Sequence, residues 1–398
     1  MSSTETPLTQ DPLALIAELS RTTSRLGSQE DTEARKECLR LSRALTAELE
    51  QPENIAVDMA FSPMIAISTR TAVDLNLFKH IVQSGPITSK ILAELTGAEE
   101  LLIVRILRVL SATHFVQESG PKTWTATRIT KAMATDEIAA GHRMISKLIV
   151  PAMQSAPDYL VERDYSCPTD PRDGLVQYAL KTEQTIFEII GSAPALLMDF
   201  HMFMGNTTGA RRYWIDYYPV QNRILDGASP ETALIVDVGA GKGHDLLAYN
   251  DKFPNTGRLV LQDLQTVTGG LKNQLDPGIE VVAYDFFTEQ PVTGARVYFY
   301  HHILHDWADS YCLEILERVA AAMTPGYSKL LLHEMIVPEQ GASQFQAQLD
   351  LTMMAFNGGL ERTREQWTAL LEKAGLMFVG FWDPIDEGGD GIVEAMKV

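Results

Sequence analysis

Three glycines at alternate positions open the most chemically suggestive stretch of the chain. In VDVGAGKGHDL, Gly239, Gly241 and Gly243 follow an apolar run and precede a helix-like segment. Glycines at such a junction permit a tight turn and let ligand atoms approach the backbone closely. A glycine-rich turn alone could equally be structural. Asp263 adds weight: it ends the next apolar run, RLVLQD, twenty residues beyond Gly243, where a carboxylate can accept hydrogen bonds from both hydroxyls of a ribose. Asp285 and Phe286 close the following run, IEVVAYDFF, in position to bind and stack on an adenine. The loop lacks the Gly-Lys-Ser/Thr of a phosphate loop, which argues against ATP hydrolysis. The pattern points to an adenosine-bearing ligand.

These residues need a scaffold, and the C-terminal half supplies its signature. From Thr232 the apolar runs ALIVDV, RLVLQD, IEVVAYD, ARVYFYHH and KLLLHEMIV alternate with helix-like segments. Such alternation predicts an α/β fold with a doubly wound, mainly parallel sheet. Ligands of open α/β sheets bind outside the carboxyl ends of the strands, so Gly239, Asp263, Asp285 and His301 are expected to converge on one crevice.

Upstream the pattern is helical. Residues 1 to 10 read as a tail, and Pro12 to Glu50 as two helices. MIAISTRTAVDLNLFKHI reads as one helix, SKILAELTG as a short helix ending at Gly97, and ELLIVRILRVLSAT as a longer one. Two short alternating runs, FVQES and KTWTATRIT, flank a Gly120-Pro121 turn. This is the outline of a winged helix. Residues 87–131 carry six Lys/Arg against four Asp/Glu, too weak a basic face to favour DNA, so dimerisation or covering a site is expected of it. Residues 132–230 read as mostly helical, and their aromatic segment FHMFMGNTTGARRYWIDYYP, with Phe203, is either core or one wall of a cleft.

Composition narrows the class. The chain of 398 residues is 45% hydrophobic with a formal net charge of -19, which excludes global disorder and disfavours nucleic-acid partners. Cys38, Cys167 and Cys312 lie far apart, so neither a disulfide framework nor a cysteine-rich zinc site is expected. The N-terminus lacks the features of a secretory signal, and arginines interrupt the longest apolar stretch, so a soluble cytoplasmic protein without a membrane span is expected.

The order and spacing of VDVGAGKGH, LVLQD, YDFF, HHILHDWAD, LLLHEMIVPE, DLTMMAFNGGLERT and QWTALLEKAGL resemble the S-adenosylmethionine-dependent O-methyltransferases of secondary metabolism, the plant caffeate type and its fungal relatives. The resemblance covers most of the chain. It implies a class I methyltransferase (Rossmann-like) C-terminal domain and a winged-helix N-terminal domain that makes a homodimer. The implied division is 1–135 for dimerisation, 136–230 for a helical linker and pocket segment, and 231–398 for the cofactor domain. S-adenosyl-L-methionine would lie on Gly239, Gly241, Asp263, Leu264, Asp285, Phe286 and His301. The resemblance makes His305 the catalytic base, flanked by Glu334 and Glu361, with no metal. His305 follows the fourth strand, Glu334 ends the fifth and Glu361 sits in the loop NGGLER, so the three can meet at one rim. An imidazole with an ordinary pKa of ~6.5 would be neutral at working pH.

The acceptor is expected to be a small molecule bearing an aromatic or polyketide hydroxyl. Phe203, Met353, Met354, Asn357 and His142 are the candidate substrate contacts. Two features depart from the family pattern: His301 stands where Lys or Arg is common, and GLERT shortens the corresponding plant loop. They motivate a rival reading. Some fungal relatives retain the cofactor but catalyse pericyclic reactions or dehydrations without methyl transfer. Retention of His305, Glu334 and Glu361 favours methyl transfer.

Overall fold

The computed structural model describes residues 11–27, 31–207, 213–271, 275–384 and 389–398. The expected N-terminal tail, and residues 208–212 of the aromatic segment, lie outside the described residues. The chain divides into two compact units, Met1–Ala132 and Met133–Val398.

In the first unit α1 (Pro12–Thr23) and α2 (Thr32–Leu49) form the expected helix pair, capped by the Asp11 and Asp31 side chains. A helix that sequence reading did not anticipate, α3 (Pro52–Phe61), follows. The single helix expected next is broken in two, α4 (Pro63–Asp74) and α5 (Leu77–Ser84). Asn76 makes the break, at φ +52°, a left-handed conformation that asparagine tolerates better than most residues. Strand β1 (Ile87–Thr88) leads into α6 (Ser89–Thr96), which stops at Gly97 with φ +72°. Then come α7 (Glu100–Ala112), β2 (Val116–Gly120), β3 (Thr123–Ala126) and α8 (Arg128–Met133). The sheet order β1-β3-β2 completes the wing. Its core comprises Leu77, Phe78, Ile81, Leu92, Leu107, Leu110 and Trp124.

The second unit opens with α9 (Asp136–Glu162), α10 (Leu175–Leu180), α11 (Ile186–Ser192) and α12 (Pro194–Thr207). Among the described residues, no single helix is long and apolar enough to cross a membrane. The residues assigned to a separate 136–230 segment belong to the same compact unit as the sheet. One reason is a shared core, in which Met144, Leu148 and Ala152 of α9 pack with Ala355 and Phe356 from the C-terminal part.

The sheet is built from β4 (Ala233–Val238), β5 (Arg258–Asp263), β6 (Ile279–Ala283), β7 (Val297–His301), β8 (Lys329–Glu334), β9 (Met377–Trp382) and β10 (Gly391–Met396). Its order is β6-β5-β4-β7-β8-β10-β9. The first five strands are parallel, as expected; β10 enters antiparallel between β8 and β9. The intervening helices are α13 (His244–Lys252), α14 (Gln265–Thr268), α15 (Asp309–Ala322), α16 (Gln344–Asn357) and α17 (Arg364–Lys373). Every residue of β4 and β8 is buried, as in a parallel sheet covered on both faces. Chain order reverses between the neighbours β4 and β7, a switch point that opens a crevice at their carboxyl ends.

Candidate active site

The glycine loop lies at that switch point, and at two of its three glycines no side chain fits. Gly239 and Gly243 have φ of +72° and +77°. A Cβ on Gly239 would overlap the Ile303 side chain, and one on Gly243 would come within 2.7 Å of Leu261 Cδ1. At Gly241, by contrast, a Cβ would meet nothing within 4 Å, so the backbone there faces open space. The Gly241 amide donates to Asp263 Oδ2 at 2.8 Å, and the Leu264 amide to Oδ1 at 2.7 Å. Asp263 therefore ties β5 to the glycine loop, and burial pushes its pKa upward.

Asp285 Oδ1 accepts from the Phe287 amide at 3.0 Å, fixing the turn that carries Phe286. Phe286 packs edge-on to Phe287 and Trp307. A cradle of glycine backbone, a ribose-compatible carboxylate and an aromatic on adjacent strand ends suits S-adenosylmethionine. Leu264 is exposed beside Asp263. His301 Nδ1 lies 2.7 Å from Asp245 Oδ2, in the first turn of α13 that follows the glycine loop.

His305 sits on a short 3-10 turn after β7 and is buried. Its Nδ1 is 2.8 Å from Glu361 Oε1 and 3.9 Å from Glu334 Oε2. Asp306 Oδ1 is 3.6 Å from Nε2. The three expected groups thus come together, with different tasks. Glu361 orients the ring, whereas Glu334 Oε1 chiefly accepts the backbone amides of Ile303 and Leu304, at 3.1 and 2.9 Å. With Nδ1–H donated to Glu361, Nε2 remains to take a proton.

Burial pushes His305 down, but Glu361, Glu334 and Asp306 outweigh it and raise its pKa to about 10. The surrounding carboxylates thus favour the imidazolium form of the ring, the form reached on accepting a proton. Burial likewise lifts Asp306 to about 7, even against the attraction of His305.

Several contributors escaped the sequence reading. Asp306 stood inside the recognised HHILHDW, where its adjacency to His305 was the available signal. Arg362, fully buried, donates to the carbonyls of Leu304 and Trp307 and pairs with Asp309, locking the 3-10 turn. Asp350 receives the Glu361 amide at 2.9 Å. A Cβ on Gly359 would overlap the His305 carbonyl oxygen, so this glycine allows the NGGLER loop to reach the turn that carries His305.

Of the candidate substrate contacts, Asn357 is buried and donates to the Asp306 carbonyl at 3.1 Å, while its own Oδ1 lacks a hydrogen-bond partner. Met353 is buried and Met354 half-buried on the same helix, α16. Phe203 lies so close to Gly141 of α9 that a Cβ there would overlap its ring. His142, next in the chain, is half-buried. The aromatic segment divides: Phe200 and Phe203 pack with α9, whereas Trp214 and Tyr218 join the core beneath the sheet.

Comparison with known proteins accords with this geometry. Residues 226–377 match the O-methyltransferase domain family, and residues 58–136 match the O-methyltransferase dimerisation domain. The O-methyltransferase penC of Penicillium thymicola is 61% identical over 98% of both chains. The O-methyltransferase asqD of Emericella nidulans is 60% identical over 84% of this chain and 87% of its own. A structure of LepI in complex with SAM, 29% identical, superposes with a TM-score of 0.86 over 98% of this chain and 100% of that one. OxaC in complex with sinefungin and meleagrin, 26% identical, gives the same TM-score over 97% and 99%. With both family domains in place and full-length relatives at this identity, the chain belongs to the S-adenosylmethionine-dependent O-methyltransferases.

Proposed function

We propose that the chain methylates a hydroxyl of an aromatic or polyketide-type secondary metabolite, with His305 as the general base. The observation that carries this reading is the buried His305–Glu361 pair, 2.8 Å apart at the crevice of the switch point. S-adenosylmethionine, when bound, supplies the methyl group and a sulfonium charge that opposes a second cation on His305. Glu361 holds the ring so that Nε2 can receive the acceptor's hydroxyl proton, and the carboxylates stabilise the resulting imidazolium. Gly239, Gly241, Asp263, Leu264, Asp285 and Phe286 would bind and orient the cofactor. The substrate wall would combine Phe203, His142, Met353, Met354 and Asn357, whose orphaned Oδ1 offers an acceptor for a polar group. Holding the reactants at near-attack distance in a dry crevice supplies much of the rate.

Relatives at 60% and 61% identity that are named O-methyltransferases support methyl transfer over the pericyclic reading. The dimerisation-domain match supports a homodimer formed through the first unit. The deciding experiment is incubation with isotope-labelled S-adenosylmethionine and a panel of phenols and polyketides, read by mass spectrometry. Label in a product supports the proposal. Isomerised or dehydrated products without label overturn it.

A further inference from the structure

Beside the catalytic turn lies a second, unused imidazole cluster. His301 at the end of β7 and His333 in β8 are register partners, with ring centroids 4.1 Å apart. Asp245, from the first turn of α13, completes the group, and one donor atom from each residue lies within 4.8 Å of the others. His333 is 5% exposed, and the side chains of His301 and Asp245 are 12% and 13% exposed.

The polar bookkeeping of this cluster does not close. His333 Nδ1, His301 Nε2 and Asp245 Oδ1 are buried without a hydrogen-bond partner. Buried polar atoms are paired in the great majority of cases, and orphans gathered in one place call for a common explanation. Rearranging the protons would not help His333 and His301 serve each other, because their rings pack at 43° with centroids too close for an in-plane hydrogen bond.

We propose that Asp245, His301 and His333 form a divalent metal site, suited to Zn²⁺. Two imidazoles and one carboxylate are a ligand set that zinc accepts, leaving a fourth tetrahedral position for water. The donors must contract to reach bond lengths of about 2.0–2.2 Å, so the ion draws α13 towards β7 and β8. The overlapping group His301, His302 and Asp390 is the weaker choice. His302 Nε2 already lies 3.0 Å from Asp390 Oδ1, and its ring stacks on His305 at 4.8 Å. The proposal does not rest on the catalytic roles assigned above.

The test begins with the full-length protein stripped by a chelator and titrated with Zn²⁺ against a chromophoric competitor. One equivalent should bind, and His333→Gln and Asp245→Asn should each weaken it by roughly 100-fold or more. Near-ultraviolet circular dichroism and cofactor affinity check that the variants fold. A second measurement needs no variant: Co²⁺ should give the visible absorption of a tetrahedral site, and X-ray absorption of the zinc form should show two imidazoles. Failure of the wild-type protein to retain an equivalent overturns the proposal. So does equal binding by wild type and folded variants, which means an adventitious ion only, or a spectrum without imidazole ligands.

Discussion

Two imidazole–carboxylate clusters lie side by side at the carboxyl ends of β7 and β8, and their stoichiometry separates them. Around His305 three carboxylates serve one ring, and its pKa climbs to about 10. In the neighbouring cluster three rings share Asp245 and Asp390. There His301 rises to about 9 through Asp245 despite its burial, while burial and the adjacent His301 drive His333 down to about 3. The fold and depth are the same. Direct contact with a carboxylate, at 2.8 Å for His305 and 2.7 Å for His301, favours a protonated buried ring, whereas His333, whose Nδ1 has no such partner, is pushed towards the neutral donor form.

The sharpest way to break this comparison is to remove the ring itself. His305→Ala should reduce methyl transfer about 10²–10⁴-fold, the range of general-base catalysis, with cofactor affinity retained. Stopped-flow or product assays alongside calorimetry check it, and unchanged turnover would remove His305 from the base role.

Acidity should act almost as strongly. Only neutral His305 accepts a proton, so kcat/KM should climb about tenfold per pH unit on the acid side. With cofactor saturating, the inflection should fall between the ordinary value of 6.5 and about 10. A flat profile across that interval would show that no imidazole of raised pKa governs the step.

Glu361→Gln removes the nearest carboxylate. The acid limb should move to lower pH, since the imidazolium loses its main support, and kcat should fall about 10-fold or more as the ring loses its orientation. Asp306→Asn, at 3.6 Å from Nε2, should shift the limb the same way by a smaller amount. Smallest of all is His333→Gln, which belongs to the other cluster: the pH–rate profile should stay in place. A shift there equal to that of Glu361→Gln would mean the two clusters titrate as one.

Much of the site was legible because its parts lie in contiguous motifs. The glycine loop, LVLQD, YDFF, HHILHDW and NGGLER each carry their residues and their local geometry together, and β4 to β8 follow from unbroken apolar runs. The antiparallel insertion of β10 was not legible, since strand order depends on which edges remain after the parallel core forms. Neither was the split of α4 from α5, because a single left-handed residue leaves the helical periodicity on either side intact. Arg362 carried no sequence signal of its own, because its partners, the carbonyls of Leu304 and Trp307, are distant in the chain.

The same limit governs the two clusters. His305 and Glu361 are 56 residues apart in the chain, and so are His301 and Asp245. The sequence by itself determined the adenosine-binding strand–loop–helix pattern, the α/β class and the acidic charge, all properties of local composition and period. Only the tertiary structure decided which carboxylate meets which ring, how many acids crowd each imidazole, and so the proton each one holds. Those quantities depend on distances of a few ångströms across the sheet, where burial strengthens every charge interaction and chain separation counts for nothing.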